Sequence, residues 1–256
     1  MKHDFFLRRA ALSVIGIASL LSLSAEPRSF QKEIDLSYQH IYLHATMSKL
    51  DSLILSLQQQ AAGKDNRYLS YWYAYSLYKG AIAAIEYYNY DREAYAPLKE
   101  KGLAELKEAA ETLEKIRTKT SEDYALLALV KNAGLPFCSP LRIPFVSNEV
   151  KKYAETAVRM DEKNIRAWLA LGIRDFHTPE LYGGRQQFEE IFLRILALDA
   201  ACGTNEYDPT WGQDDAYAYL IGYYWEEQPE RARELLAEAL IDFPDDHRLE
   251  AYRTRE

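Results

Sequence analysis

Aromatic side chains with a polar group at the tip are the residues of this chain best suited to binding chemistry. The chain contains 20 tyrosines and 4 tryptophans in 256 residues. A large ring buries apolar surface, and its hydroxyl or indole N–H adds one directed hydrogen bond, which suits a groove for peptides or small ligands. The same rings also fill the space between packed helices, so we expect most of them in the core and a minority in a concave groove. The binding candidates of this type are Tyr71, Trp72, Tyr75, Tyr78, Trp168 and Trp211.

A second candidate is the loop at residues 178–184, which contains Pro179 and Tyr182 and ends in Gly183 and Gly184. Two glycines permit backbone conformations with positive φ. The helix expected after them would present unpaired backbone amides, which favour anions. No Gly-Lys-Ser or Gly-Lys-Thr follows, so this is not a nucleotide-binding loop. The pattern is typical of a connecting turn that needs both glycines for its shape. The alternative is a ligand or partner contact, for which this loop is the best candidate in the chain.

His40, His44 and Asp51 are the residues whose spacing could hold a metal ion. On one continuous helix they would share a face, because their separations are close to whole numbers of turns. The set lacks the glutamate of a His-Glu-x-x-His motif. Two histidines and one acid on a long helix are usually ordinary polar residues. We therefore expect no metal site and no cofactor.

Catalytic arrangements are weak in this sequence. Acidic pairs occur at residues 189–190, 214–215 and 226–227, but neighbours on a helix point roughly 100° apart and do not form an acid–base pair. No Gly-x-Ser-x-Gly motif occurs, and neither Cys138 nor Cys202 has an obvious histidine partner. We therefore expect a non-enzymatic protein. The two cysteines could form a disulfide in an exported chain or remain thiols, and the sequence leaves both open.

Composition and charge place the chain among globular proteins and disfavour one class of partner. Hydrophobic residues make up 48% of the chain, charged residues 27%, and the formal net charge is −8. An acidic surface repels phosphate backbones. Nucleic acid is therefore not an expected partner.

The first 25 residues have the plan of a secretory signal peptide. Lys2, Arg8 and Arg9 precede an uncharged apolar run at residues 10–23, and small residues follow up to Ala25. The run has about 14 residues, fewer than the roughly 20 that a membrane-spanning helix needs. We expect cleavage after Ala25 and a periplasmic or secreted protein with no membrane span in its mature form.

Almost every long segment has the apolar spacing of a helix, and no run alternates as a strand does. Helices are predicted over residues 30–61, 67–90, 92–119 and 120–132, and then in five further segments up to residue 244. Thr120 and Asp123 carry the signature of a capping box. Three prolines in residues 134–144 mark an irregular connection. The predicted fold is all-α, with N-terminal helical repeats over residues 26–138 and C-terminal repeats over residues 139–256.

The C-terminal half resembles tetratricopeptide-repeat proteins. Small residues on one helix, a polar turn, and a small residue, a tryptophan and a glycine on the next helix carry the resemblance: Ala154, Ala157, Asp161, Asn164, Ala167, Trp168, Leu171 and Gly172. Phe243, Pro244 and Asp245 match the turn again. The resemblance covers about residues 147–255 and implies an α-solenoid of antiparallel helix pairs. Such folds usually bind a partner and seldom catalyse.

A narrower resemblance concerns the Pro-x-x-x-Gly-Gly pattern of residues 179–184. In an exported helical-repeat protein, this loop is similar to one in the periplasmic T-component family of TRAP transporters, which implies small-ligand binding beside a transport system. From the sequence we favour a non-catalytic bacterial periplasmic protein that recognises a protein or peptide in a concave, aromatic-lined groove. The alternative is a small-ligand-binding accessory protein for transport, which predicts an apolar pocket under this loop.

Overall fold

The computed structural model describes residues 27–199 and 208–254, with side chains from residue 30 onward. Within those ranges it contains eleven α-helices and no strand, which confirms the all-α prediction. The predicted signal peptide at residues 1–25 and the residue Cys202 lie outside the described residues, so cleavage and a Cys138–Cys202 bridge stay predictions. Among the helices that the structure describes, none is both long enough and apolar enough to cross a bilayer.

Eleven helices follow one another along the described chain. Their bounds are α1 Pro27–His44, α2 Ser48–Ala61, α3 Arg67–Tyr90, α4 Ala96–Glu114, α5 Ser121–Gly134, α6 Ile143–Met160, α7 Ile165–His177, α8 Phe188–Ala197, α9 Gln213–Glu227, α10 Pro229–Asp242 and α11 His247–Arg253. Short 3-10 turns at Leu135–Phe137 and Glu180–Tyr182 follow α5 and α7.

Local sequence signals account for several helix starts. The Asn66 side chain accepts hydrogen bonds from two first-turn amides of α3, at 3.0 and 3.3 Å. The predicted capping box at the start of α5 is confirmed, and Asp123 Oδ2 accepts from Thr120 N at 2.7 Å. Pro97 lies in the first turn of α4, where its missing amide donor is not needed. These contacts span only a few residues, which is why the sequence predicts them.

The prediction of a continuous helix over residues 30–61 is wrong, because the chain breaks between α1 and α2. Ala45 has a φ of 51°, in the left-handed region that an α-helix does not contain. Ser48 N then donates to the Thr46 hydroxyl at 3.4 Å where α2 begins. His40 and Asp51 therefore lie on different helices. The helix predicted over residues 92–119 is also shorter than expected, since α4 covers only Ala96–Glu114.

The helices pack in a regular order. Each helix contacts the next one in the chain, and α1, α3, α5, α7 and α9 also contact one another in that sequence. The odd-numbered helices therefore form one layer, and the even-numbered helices cover it. Small residues allow the close approach within this packing: a Cβ atom at Gly172 of α7 would lie 2.6 Å from the Phe192 ring of α8.

Helix α3 lies at the centre of the core, and α1 connects the two ends of the described chain. From Tyr71 to Ile85, α3 is buried on nearly every side. Gln31 Oε1 of α1 accepts a hydrogen bond from Thr210 N at 2.9 Å, across 179 residues of sequence. The His247 ring of α11 stacks on the Tyr42 ring of α1, with centroids 3.6 Å apart. The first helix therefore lies beside the last.

Candidate ligand-binding site

An apolar cavity of about 870 Å³ lies among α3, α5, α6, α7 and α9. The connections at residues 135–140 and 178–182 complete its wall, and we call it the apolar cavity. Its helical lining consists of Tyr78, Ile82, Leu129, Asn132, Ala133, Ile143, Pro144, Ser147, Asn148, Ile173, Arg174, His177 and Tyr219. The connections contribute Leu135, Pro136, Pro140, Thr178, Pro179 and Tyr182. The alternative hypothesis of an apolar pocket beside the loop at residues 179–184 therefore matches the geometry.

Prolines give the connection after α5 its apolar character. Pro136, Pro140 and Pro144 all line the cavity, and a proline has no backbone N–H that needs a partner. Ile143 beside them is 40% exposed, although it is a large apolar residue. The segment that the sequence marked only as an irregular connection is thus one wall of the site.

The loop at residues 178–184 forms the opposite wall, and its two glycines have different roles. Gly183 has a φ of +78°, and no atom lies within 4 Å of the position of an added Cβ. Gly184 is packed so tightly that an added Cβ would lie 2.0 Å from Thr178 O. Tyr182, which precedes them, lines the cavity and is 78% exposed. The glycines therefore hold the turn that presents Tyr182 and Pro179.

The backbone amides at the start of α8 are not free to bind an anion. Asp175 Oδ2 accepts hydrogen bonds from Gln187 N at 2.8 Å and Phe188 N at 2.9 Å. Asp175 belongs to α7 and is buried, so a side chain from the preceding helix caps α8. A long-range cap of this kind has no signature in the local sequence.

Polar side chains are interspersed among the apolar residues of this cavity, and they include Asn132 and Asn148. Arg174 Nε donates to Ser147 O at 3.3 Å, and His177 Nε2 lies 3.2 Å from the Tyr219 hydroxyl. Burial, together with the nearby Arg185 cation, lowers the pKa of His177, so its imidazole is neutral at pH 7. Burial raises the pKa of Tyr219, whose phenol therefore stays protonated. The cavity thus combines one cation, one neutral imidazole and phenol hydroxyls with apolar walls.

The predicted aromatic candidates are divided by the fold. Tyr71, Trp72 and Tyr75 are each at most 2% exposed and belong to the core around α3. Trp211 is also buried and stacks on Tyr75, with ring centroids 4.7 Å apart. Tyr71, Trp72 and Tyr75 fill space between helices, whereas Trp211 lines a second cavity beside α1. None of the four rings lines the apolar cavity.

Trp168 and Tyr78 differ from the buried group. Trp168 Nε1 donates to Glu162 O at 2.8 Å, and the Arg194 guanidinium lies 4.0 Å from its ring centroid. Trp168 therefore has local partners and does not line the apolar cavity. Tyr78 does line it. Of the predicted binding residues, the structure places Tyr78, Pro179 and Tyr182 at one cavity, with Gly183 and Gly184 shaping its wall.

Sequence reasoning missed the charged and hydrogen-bonding groups of the cavity. Arg174, His177 and Tyr219 come from α7 and α9, which only the tertiary fold brings together. His177 directly precedes the loop at residues 178–184, and this position was the one feature of the sequence that could have identified it as a site residue.

The histidine pair predicted on α1 does not form a metal site with Asp51. The His40 and His44 ring centroids are 4.1 Å apart, but Asp51 lies on α2 and pairs with Lys101 at 2.9 Å. In the part of the chain that the structure describes, no three His, Cys, Asp or Glu side chains are grouped closely enough to hold a metal ion.

Comparison with known proteins gives one informative result. No protein-family model matches the chain, and no curated protein matches it. A solved structure, the HusA haemophore from Porphyromonas gingivalis, aligns with a TM-score of 0.52 and 21% sequence identity. The alignment covers 80% of this chain and 96% of the haemophore. The likeness is one of fold.

Proposed function

We propose that this protein is a non-catalytic binding protein that takes a flat, mainly apolar small molecule into the apolar cavity. The observation that carries the proposal is the cavity itself, whose largely apolar surface also carries one cation and one imidazole. Its volume lies in the range of roughly 300–1,000 Å³ that is usual for small-ligand sites. Burial of an apolar ligand there would supply the affinity, and the polar side chains would set its orientation.

A porphyrin is the ligand class that we propose. The structural neighbour is a haemophore, and the residues of this cavity fit such a ligand. Leu129, Ile82 and the prolines offer apolar surface to a macrocycle, and Arg174 would pair with a carboxylate substituent. His177 is neutral at pH 7 and would serve as an iron ligand, as histidine and tyrosine do for haem in other proteins.

The solenoid arrangement and the export of this protein, which the sequence predicts, are part of the proposal. We propose that the helix pairs form a tetratricopeptide-like α-solenoid, supported by the packing order of the helices. Export through a cleaved signal peptide would place the protein where it meets such a ligand. The peptide-binding hypothesis loses its main support, because Tyr71, Trp72 and Tyr75 are buried. The resemblance to the T-component family stays a prediction.

The test is a spectroscopic titration of the purified mature chain with haemin and, separately, with iron-free protoporphyrin IX. We expect both to bind, because the macrocycle supplies most of the buried surface. Tyr182→Ala should weaken both about tenfold, since a partly buried aromatic contact is worth roughly 1.4 kcal/mol. His177→Ala should weaken haemin alone, because only haemin carries iron.

The matched control is Leu181→Ala. Leu181 is the neighbour of Tyr182 and 87% exposed, but it does not line the cavity, so its variant should bind like the wild type. The proposal fails if neither compound binds the wild type. It also fails if Leu181→Ala and Tyr182→Ala weaken binding equally.

A further inference from the structure

A second cavity, of about 660 Å³, lies between α1, α3, the start of α9 and the turn before α11. It shares no lining residue with the apolar cavity. Helix α3 joins the two cavities, because Tyr78 lines the apolar cavity and the adjacent Lys79 lines the second one. Helix α9 also contributes to both, through Tyr219 and Asp214 respectively. Charged residues dominate the second lining, and we call it the charged cavity.

Lys79 is a buried cation without an acceptor. It is only 8% exposed, and within residues 30–199 and 208–254 its ammonium makes no hydrogen bond or ion pair. Its one close contact is the face of the Tyr38 ring, 3.8 Å from the Lys79 Nζ atom. An ammonium group has three donors, and a buried charge is costly unless it is paired. A ligand acceptor in the cavity would satisfy this group.

Asp35 is the opposite charge on the same cavity. Its Oδ1 atom accepts from the Tyr75 hydroxyl at 2.9 Å, and the side chain lines the cavity. Asp35 and Lys79 do not form an ion pair, although both line one cavity and Lys79 is the main cation acting on Asp35. A cationic and an anionic side chain thus line the same cavity without forming an ion pair with each other.

Two further cations line the charged cavity: Lys32 is exposed, and Arg248 is already occupied. Arg248 pairs with Asp246 at 2.6 Å, with Asp214 at 2.7 Å and with Asp215. Three carboxylates around one guanidinium leave it no attraction for a further anion. Lys79 is therefore the buried cation available to bind an anionic part of a ligand.

We propose that the charged cavity binds a small zwitterion that carries one carboxylate and one ammonium group, of the α-amino-acid or short-peptide class. The carboxylate would accept from Lys79, and the ammonium would donate to Asp35. A plain anion is disfavoured because Asp242 and Asp245 add further negative charge to the lining. Leu36, which is 49% exposed, and Phe243 offer apolar surface for a side chain.

Isothermal titration of the wild type with three related probes tests the charge requirement. The probes are L-phenylalanine, N-acetyl-L-phenylalanine, which lacks the ammonium, and L-phenylalaninamide, which lacks the carboxylate. We expect L-phenylalanine to bind at least tenfold more tightly than either analogue, because only it satisfies both charges. Equal binding of all three, or no binding of L-phenylalanine, would overturn the proposal.

Variants then test the named residues. Lys79→Met and Asp35→Asn should each weaken L-phenylalanine binding at least tenfold. Lys107→Met is the matched control, because Lys107 lies on α4 with a side chain that is 79% exposed, and it should bind like the wild type. Unchanged affinity in Lys79→Met would overturn the assignment. The titrations of the wild type decide the question even if a variant does not fold, and they are independent of porphyrin binding because the cavities share no residue.

Discussion

The apolar cavity and the charged cavity lie on either side of α3 and are built in opposite ways. The apolar cavity is lined by helix faces and by two connections rich in proline and glycine. The charged cavity is closed by contacts between the first helix and the last, and ion pairs hold its wall around Arg248. The first is stabilised mainly by packing and the second by charge, so the two should respond differently to the same kinds of change.

The contrast shows that an apolar pocket and a charged pocket have different structural requirements in an all-helical chain. Apolar surface at the ends of neighbouring helices needs only loops of the right shape to become a pocket. A cluster of buried charges needs every partner in place, because a lost partner leaves a buried charge unpaired.

The largest effect should come from Arg248→Met. This change leaves Asp214, Asp215 and Asp246 without their shared cation, and breaking such a partly buried cluster should lower the free energy of unfolding by roughly 3 kcal/mol. Urea denaturation at pH 7 measures the loss. Arg253→Met is the control, because Arg253 is 62% exposed and pairs with Glu250; its loss should stay below about 0.5 kcal/mol. Similar losses for both variants would contradict a charge-stabilised wall.

The next largest effect should distinguish the two glycines of the apolar cavity. In Gly184→Ala the new Cβ would collide with Thr178 O, so the loop must move and porphyrin affinity should fall roughly tenfold, a change of about 1.4 kcal/mol. In Gly183→Ala there is open space, and only the positive φ costs about 1 kcal/mol of stability. Haemin titration of both variants checks this. Equal affinities would show that the loop does not shape the site.

A pH-dependent effect is expected at Asp35. Burial raises the pKa of Asp35 from 3.8 to about 6, against an opposing influence of Lys79. Between those values the folded state holds the proton more tightly than the unfolded chain, so this group lowers stability as pH rises and the loss is complete above pH 6. Asp35→Asn removes the loss, so the variant should gain about 1–3 kcal/mol relative to the wild type between pH 4 and pH 7.

Urea unfolding of Asp35→Asn and of the wild type at pH 4 and at pH 7 measures this effect. The quantity to compare is the free energy of unfolding of the variant minus that of the wild type at each pH. Subtracting the wild type is necessary because His247 changes stability in the opposite direction. Burial lowers the pKa of His247 to about 4, so its contribution to the free energy of unfolding rises with pH. Asp65→Asn, at an exposed position, is the control for the chemical change from aspartate to asparagine. If the difference between Asp35→Asn and the wild type were the same at both pH values, Asp35 would be solvated and not buried.

The smallest effect should come from Tyr219→Phe in the apolar cavity. The change removes the hydroxyl that lies 3.2 Å from His177 Nε2, and a single partly exposed hydrogen bond is worth about 0.5–1 kcal/mol. Thermal or urea unfolding measures it, and L-phenylalanine binding should be unchanged because Tyr219 does not line the charged cavity. A loss above roughly 2 kcal/mol would mean that the apolar cavity also depends on polar contacts.

The elements of the fold were largely predictable from the sequence. Apolar spacing predicted α3 with its bounds, and the Thr120–Asp123 pair predicted the start of α5. The break at Ala45 was missed, because no glycine or proline marks it. The cap of α8 was missed for a related reason, since Asp175 lies 12 residues before the first amide that it accepts from.

The site was predicted only in part. The loop at residues 178–184 stood out because paired glycines and a proline constrain the backbone whatever surrounds them. Tyr71 and Tyr78 have the same residue type on one helix, yet the first is buried and the second lines a cavity. Residue type cannot separate those roles, because burial depends on which other helices arrive at that position.

The sequence by itself determined most of the helices, the capping box of α5 and the glycine turn, since each depends on hydrogen bonds and φ preferences among residues a few positions apart. Only the tertiary structure decided which aromatic rings are covered, and that Lys79, Asp35 and Arg248 meet at one cavity although 213 positions separate the outermost two. The physical reason is that desolvation and charge pairing act through space, so their outcome is set by the packing of distant segments.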